Sequence, residues 1–191
     1  MGRIRTFVAV DLEDPQIAAK IREVQRGIEA TDNGVKSVKL ENLHITLKFL
    51  GSVDEALVPE IARTLEGPDV APFRARLFGV GAFPNMSRPR VIWVGVEEGR
   101  EKLVRLMRWV DSRLRRLGFL KEDREPHPHL TIARVKWLGD RESLRRVLSS
   151  LLSTDFGEIE VREVRLKKST LTPKGPIYET LASIPLRAGG G

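Results

Sequence analysis

Two short segments of the chain carry the same pattern of side chains that could do chemistry. One is His44-Ile45-Thr46-Leu47 and the other is His129-Leu130-Thr131-Ile132, so each reads histidine, aliphatic, threonine, aliphatic. Because successive side chains of a β-strand point to opposite faces, an imidazole and a hydroxyl share one face of each segment. The pattern predicts two strands whose polar faces meet across a cleft and whose apolar faces point into the core.

The chemistry that these residue types favour is acid–base catalysis on a phosphodiester. Histidine has an ordinary pKa of about 6.5, so two imidazoles facing one cavity can serve as general acid and general base near neutral pH. The hydroxyls of Thr46 and Thr131 could hold non-bridging phosphate oxygens and stabilise the charge of the transition state. The near symmetry of the two segments leaves open whether His44 or His129 gives the proton.

Other reaction classes fit the sequence less well. It contains no cysteine, which excludes disulfides, thiol catalysis and cysteine-ligated metals. A catalytic metal would need three or four clustered ligands, and no acidic residue takes a strand position comparable to those of the histidines. The sequence also has no Walker-type loop, dinucleotide fingerprint or nucleophile elbow. We therefore predict a site without a metal or a cofactor.

The elements that position the two segments follow one order in each half of the chain. Hydrophobic periodicity predicts strand, helix, histidine strand, helix, strand, twice over. The two histidines are 85 residues apart, and a shift of 85 superimposes the predicted elements of one half on those of the other. The predicted helices cover about 15–30, 54–66, 101–117 and 140–152, and the strands besides the histidine strands cover 4–12, 73–80, 90–96, 159–168 and 177–184.

This order predicts an α+β fold that is a bilobal, pseudo-twofold duplicate. Two antiparallel-rich sheets would line a central cleft, with helices on the outside. We expect residues 1–187 to form a single domain with two internal repeats, about 4–80 and 90–168. Residues 188–191, Ala-Gly-Gly-Gly, are expected to be a flexible tail.

The charge of the chain favours an anionic partner. Its net charge is +7 and its pI is near 10.0, which is typical of proteins that bind nucleic acid, although solvated arginines alone would give the same balance. Arg88 and Arg90 are the better placed candidates for substrate contact, and Phe7 or Phe83 could stack on a base. With no apolar run of membrane-spanning length and no cysteine, we expect a cytoplasmic protein without membrane contact.

The two histidine segments and their surroundings resemble the paired signatures of the two-histidine phosphoesterase superfamily. The resemblance rests on Glu41 to Gly51 and on Pro128 to Arg134, with further similarity at Arg5 to Leu12, Phe83 to Trp93 and Ser169 to Tyr178. Within the superfamily the chain is similar to the branch of 2′-5′ RNA ligases, also called RNA 2′,3′-cyclic phosphodiesterases. The similarity covers nearly the whole chain.

The resemblance implies metal-free hydrolysis of RNA 2′,3′-cyclic phosphate ends to 2′-phosphate ends. It also implies that RNA halves can be joined through a 2′-5′ linkage, with tRNA halves as candidate substrates. It implies that His129 is the proton acceptor, that His44 is the proton donor, and that Thr46, Thr131 and Arg134 bind the phosphate. A regular strand would point Arg134 away from the cleft, so its role requires a twist or a bulge.

Two alternatives stay open at the level of sequence. The chain could be a non-catalytic protein that binds RNA 3′ ends, or a phosphodiesterase of small cyclic nucleotides. We expect a monomer without an obligate protein partner in each case.

Overall fold

The structure is a computed structural model that describes residues 2–187, and these form nine strands and four helices. The predicted tail at 188–191 lies outside the described residues. Single 3₁₀ turns at Leu40–Asn42 and Glu55–Leu57 precede the third strand and the second helix. In chain order the elements are β1 (Arg3–Asp11), α1 (Pro15–Glu29), β2 (Asn33–Ser37), β3 (His44–Asp54), α2 (Val58–Thr64), β4 (Phe73–Phe83), β5 (Val91–Val96), α3 (Arg100–Arg115), β6 (His129–Leu138), α4 (Arg141–Ser149), β7 (Asp155–Val161), β8 (Glu163–Thr172) and β9 (Gly175–Pro185).

The strands form two antiparallel halves that meet between the histidine strands. The first sheet half is β3-β1-β8-β9, and the second sheet half is β6-β5-β4-β7 with β2 paired to the far part of β6. Among the described residues, β3 and β6 are paired only at Ile45 and Leu130. The predicted α+β fold with two antiparallel sheets is therefore confirmed, and the two sheets join at a single residue pair.

The two repeats exchange their last strands, which the sequence did not indicate. β4 belongs to the first repeat by chain order but pairs with β5 and β7, whereas β8 belongs to the second repeat but pairs with β1. The prediction of one strand over 159–168 is accordingly wrong. Two strands, β7 and β8, form here instead, and they are separated at Arg162. The interruption is needed because β7 pairs with β4 in one sheet half and β8 pairs with β1 in the other. This exchange interlocks the halves.

The helices cover the sheet face opposite the histidines. α1 begins at Pro15, as predicted, and the side chain of Asp14 caps it by accepting hydrogen bonds from the amides of Gln16 and Ile17. Its Ile21 and Leu106 of α3 are fully buried and belong to one core cluster with Ile45 and Leu130. The apolar faces of both histidine strands therefore point at the helices, as predicted, and their polar faces point away. No helix in 2–187 combines the length and the apolarity needed to cross a membrane.

Candidate active site

The join between β3 and β6 places four polar side chains on one surface. Ile45 lies opposite Leu130 in an antiparallel ladder, so continuing that register by one residue on each side puts His44 across from Thr131 and Thr46 across from His129. Diagonal neighbours in such a ladder lie about 7–8 Å apart, which is the relation between the two histidines. The four side chains are half-buried, whereas Ile45 and Leu130 are buried. The two predicted polar faces therefore come together.

Each histidine ring is oriented by a backbone carbonyl two residues before it. His44 Nδ1 donates to the carbonyl of Asn42 over 2.7 Å, and His129 Nδ1 donates to the carbonyl of His127 over 2.6 Å. This fixes the same tautomer in both neutral rings and leaves Nε2 of each as the atom that can take or give a proton. His44 Nε2 is also 3.0 Å from Thr46 Oγ1.

β-Bulges at equivalent positions change the direction of the side chains that follow the two threonines. In β6, Thr131 lies opposite Trp93 and Ala133 opposite Ile92, so Ile132 is an extra residue. In β3, Leu47 is extra in the same way, and it lies 85 residues before Ile132. A bulge shifts the alternation of side chains by one residue. The next pair, Val91 opposite Arg134, therefore lies on the histidine face.

The bulge in β6 accounts for the direction of Arg134. Counting residues along a regular strand would give this side chain the parity of Ile132, on the core side. The bulge at Ile132 turns Arg134 to the histidine face, and a hydrogen bond from Gln25 of α1 stabilises the bulge. The amide of Gln25 is 1% exposed and donates to the carbonyls of Val38 over 2.8 Å and Ile132 over 2.9 Å.

In the first repeat the bulge has a different consequence. Phe49 occupies the slot of Arg134 and lies opposite Phe7 on the histidine face, where its side chain is 69% exposed. Lys48, the second residue of the bulge, turns inward and donates to Asp111 Oδ1 over 2.7 Å and to the carbonyl of Leu120 over 2.9 Å. This buried ion pair ties β3 to α3 and to the loop that leads into β6.

Charged side chains surround His44 on the first sheet half. Asp11 lies opposite His44 across the β1–β3 ladder. Its Oδ2 accepts hydrogen bonds from Arg165 over 2.9 Å and from Lys167 Nζ over 2.8 Å. The ring of Tyr178 stands edge-on to that of His44, with centroids 5.4 Å apart. Neither Asp11 nor Tyr178 was a sequence candidate for the site, although the position of Asp11 at the end of a strand that precedes a helix could have drawn notice.

Aromatic rings surround His129 on the second sheet half. The Phe83 ring is edge-on to His129 at 5.1 Å, and His127 packs against Phe83 at 5.2 Å and against Trp93 at 4.8 Å. Trp93 lies across Gly81, where a Cβ would overlap the indole, so a glycine is needed there. Gly95 is the residue opposite His129, so the slot that holds Asp11 in the first half has no side chain in the second.

Burial lowers the pKa of both histidines, and their neighbours then act differently. For His44, burial lowers the pKa most, the carbonyl of Asn42 and the carboxylate of Asp11 raise it, and the cations of Lys167 and His129 lower it. For His129, burial lowers the pKa most, the carbonyl of His127 raises it, and the Arg134 guanidinium lowers it. The net shift is downward in both.

Other candidates from the sequence lie in different places. Phe7 is 4% exposed and packs on the His44 ring at 4.9 Å, so it cannot offer a free face to a base. Arg90 lines a cavity beside His127, while Arg88 is exposed in the loop before β5. His127 contributes the carbonyl that orients His129, a function that its spacing two residues before the histidine could have suggested. Within residues 2–187 there is no group of three or more histidine, aspartate or glutamate side chains placed to hold a metal ion.

The comparisons with known proteins agree with this duplicated site. The family model described as LigT like Phosphoesterase matches the chain twice, over residues 10–93 and 94–178. Each match contains one of the two histidine strands.

Curated relatives and solved structures cover almost all of the chain. An RNA 2′,3′-cyclic phosphodiesterase of Archaeoglobus fulgidus is 44% identical over 93% of this chain and 98% of its own length, and one of Methanocaldococcus jannaschii is 41% identical over the same shares. The crystal structure of TT0787 of Thermus thermophilus is similar with a TM-score of 0.79 and 32% identity, over 98% of this chain and 100% of that one. Escherichia coli LigT complexed with 3′-AMP has the same fold, with a TM-score of 0.78 and 24% identity over 96% and 98% of the chains. The chain belongs to the family of LigT-like phosphoesterases.

Proposed function

We propose that the protein is an RNA 2′,3′-cyclic phosphodiesterase that opens the cyclic phosphate to a 2′-phosphate end. The observation that carries this proposal is the matched pair of histidines, in each of which Nδ1 is bound to a backbone carbonyl and Nε2 is left as the atom that can exchange a proton. The names of the relatives, RNA 2′,3′-cyclic phosphodiesterase, support the same activity.

In the proposed step, His129 acts as the base and His44 as the acid. Nε2 of His129 takes a proton from a water molecule as the water oxygen bonds to phosphorus. The bond between phosphorus and the ribose 3′-oxygen breaks, and Nε2–H of His44 gives its proton to that oxygen. The products are a 2′-phosphomonoester and a free 3′-hydroxyl, and proton exchange with solvent resets both rings. A ribose 5′-hydroxyl in place of the water would instead give a 2′-5′ linkage between RNA halves.

The assignment of acid and base is supported by the charges beside each ring. The carboxylate of Asp11 favours the protonated form of His44, which an acid needs. The guanidinium of Arg134 favours the neutral form of His129, which a base needs. We propose that Thr46, Thr131 and Arg134 bind the non-bridging phosphate oxygens and stabilise their developing charge. The chain supplies every group in this scheme, so we propose an enzyme that acts without cofactor or protein partner. We also propose that it acts in the cytoplasm, where RNA is available as substrate.

Hydrolysis of a short RNA with a 2′,3′-cyclic end tests the proposal. We expect turnover in EDTA, a 2′-phosphate product, and loss of turnover in both His44→Ala and His129→Ala with unchanged far-UV circular dichroism. A 3′-phosphate product would reverse the roles of acid and base. Strict dependence on added metal would refute the mechanism, and binding of the RNA end without turnover by the unaltered protein would refute the activity.

A further inference from the structure

A cavity of about 530 Å³ opens on the second sheet half beside the candidate active site. Phe83 lies opposite Val91 in the β4–β5 ladder, and Val91 lies opposite Arg134 in the β5–β6 ladder, so the cavity continues the histidine face. The Phe83 ring also contacts the ring of His129. The cavity is lined by Phe83, Pro84, Arg90, Val91, Arg124 and His127.

The chemistry of the lining favours an anion that carries an apolar part. Arg90, Arg124 and His127 supply donors, and no carboxylate lines the cavity. No ion pair among the described side chains involves Arg90 or Arg124, whereas the neighbouring Glu125 pairs with Arg108. A second cavity, by contrast, is lined by Asp11, Glu13, Glu160 and Glu163 together with arginines, so a polyanion would be repelled there.

The order of charges along an RNA strand indicates which anion this cavity would bind. In the proposed function, the cyclic phosphate occupies the space between the histidines and the threonines. The next negative charge on an RNA strand is the phosphodiester on the 5′ side of the terminal nucleoside. Arginine is suited to phosphate because its planar guanidinium can form two parallel hydrogen bonds to phosphate oxygens.

We propose that this cavity is a second nucleotide subsite, which binds the phosphodiester and ribose immediately upstream of the cyclic phosphate end. Arg90 and Arg124 bind the phosphodiester, and Phe83 and Pro84 form an apolar wall for the sugar and base. The inference rests on the proposed function and deepens it, because it makes the substrate a single-stranded RNA end of at least two nucleotides rather than a cyclic mononucleotide.

The test compares a 2′,3′-cyclic mononucleotide, a dinucleotide with the same cyclic end, and that dinucleotide with a neutral methylphosphonate as its internal linkage. For the unaltered protein we expect the highest kcat/KM on the charged dinucleotide. Arg90→Gln and Arg124→Gln should each lower the ratio of kcat/KM between charged dinucleotide and mononucleotide about tenfold, the loss expected for one hydrogen bond to a charged group. The methylphosphonate substrate should be insensitive to both changes.

Arg116→Gln is the matched control, because Arg116 is exposed directly after α3 and does not line the cavity, and the change removes the same charge. It should leave the ratio as it is. The subsite is refuted if the unaltered protein does not prefer the charged dinucleotide, or if Arg90→Gln and Arg124→Gln leave the ratio unchanged or lower both constants equally.

A binding measurement separates failure of the subsite from failure of the proposed function. If the unaltered protein hydrolyses none of the three substrates, the proposed activity is wrong. A fluorescent dinucleotide ending in a 3′-phosphate can still be titrated against the unaltered protein and the two variants. Weaker binding by Arg90→Gln and Arg124→Gln, with no change in Arg116→Gln, would support the subsite without the activity. Equal affinity in all four proteins would overturn it.

Discussion

Arg134→Gln is the substitution that most directly tests how the bulge in β6 shapes the site. The side chain follows the bulge at Ile132 and shares the histidine face with Val91 and Thr131. Glutamine keeps much of the length of arginine but removes the positive charge. If Arg134 binds a non-bridging phosphate oxygen, the variant loses that contact in the transition state and alters the electrostatic surroundings of His129.

The size of the loss follows from the exposure of the guanidinium. A hydrogen bond to a charged group contributes about 1.5–3 kcal/mol, and solvent screening moves an exposed group toward the lower value. Arg134 is exposed. We therefore expect kcat/KM on a cyclic-phosphate dinucleotide to fall about 10-fold to 30-fold, because each 1.4 kcal/mol is a factor of ten.

The pH dependence supplies a second, independent readout. The Arg134 guanidinium lowers the pKa of His129, in addition to the larger lowering by burial. Its removal should raise that pKa, so the acidic limb of the profile of kcat/KM against pH should move to higher pH. Arg134→Lys keeps the charge and should keep the limb in place, while losing the paired hydrogen bonds that a guanidinium forms.

The assay is the initial rate on the dinucleotide between pH 4.5 and 9, with Arg116→Gln as a control for net charge. The reasoning is refuted if Arg134→Gln stays within twofold of the unaltered protein. The proposed effect on His129 is refuted if activity falls without a shift of the acidic limb, and such a fall would come either from the lost phosphate contact or from lost stability. Urea denaturation of each variant distinguishes these cases.

Two further predictions concern protonation and packing. Because burial lowers the pKa of His44 and His129, both limbs of the bell-shaped profile of kcat/KM against pH should fall below pH 6.5. Asp11→Asn should move the basic limb still lower, because it removes a carboxylate that raises the pKa of His44. An upward shift would contradict this. Lys48→Met removes the nearer cation from the half-buried carboxylate of Asp111, leaves Arg115 at 3.6 Å, and should lower the free energy of unfolding in urea by about 2 kcal/mol. Burial raises the pKa of Asp111, but Lys48 and the Glu122 amide outweigh burial, so the net pKa is lowered. The stabilisation by Lys48 should therefore be complete above about pH 4, near the ordinary carboxyl pKa. It should disappear as pH falls through the pKa that Asp111 has in the folded protein. Equal slopes of stability against pH below pH 4 in Lys48→Met and the unaltered protein would contradict this.

The parts of the site that the sequence predicted are those encoded by local alternation. The two histidine strands begin at His44 and His129, and their apolar residues are buried. The offset of 85 also relates α1 to α3 and β3 to β6, because the members of each pair have the same hydrophobic periodicity. Local pattern was sufficient there because each element buries one face against the same core.

The features that the sequence did not predict depend on contacts between distant residues. The exchange of β4 and β8 is a matter of strand pairing between distant residues. A local sign of the break at Arg162 is that the apolar alternation of Ile159 and Val161 resumes one residue out of phase after it. The bulge in β3 is hidden because its second residue is a lysine, which looks solvent-facing until Asp111 is known to pair with it. Phe7 looked available for stacking, but its ring is covered by Tyr178 and His44.

The departures from symmetry give the paired histidines different surroundings, on which their proposed roles as acid and base depend. A perfect duplication would give both rings the same surroundings and the same pKa, and no direction for proton flow. The structure differs at equivalent slots: Asp11 faces His44 where Gly95 faces His129, and Phe49 follows one bulge where Arg134 follows the other. The Asp11 carboxylate raises the pKa of His44, the proposed acid, and the Arg134 guanidinium lowers the pKa of His129, the proposed base. Both effects act in the sense that the proposed mechanism requires, although Lys167 opposes part of the effect at His44. The arrangement cannot simply be inverted, because a Cβ at Gly95 would lie 2.9 Å from the carbonyl oxygen of Phe78 in β4. The second half therefore has no room for a carboxylate opposite its histidine, and this packing of β4 against β5 supports the proposed direction of proton transfer.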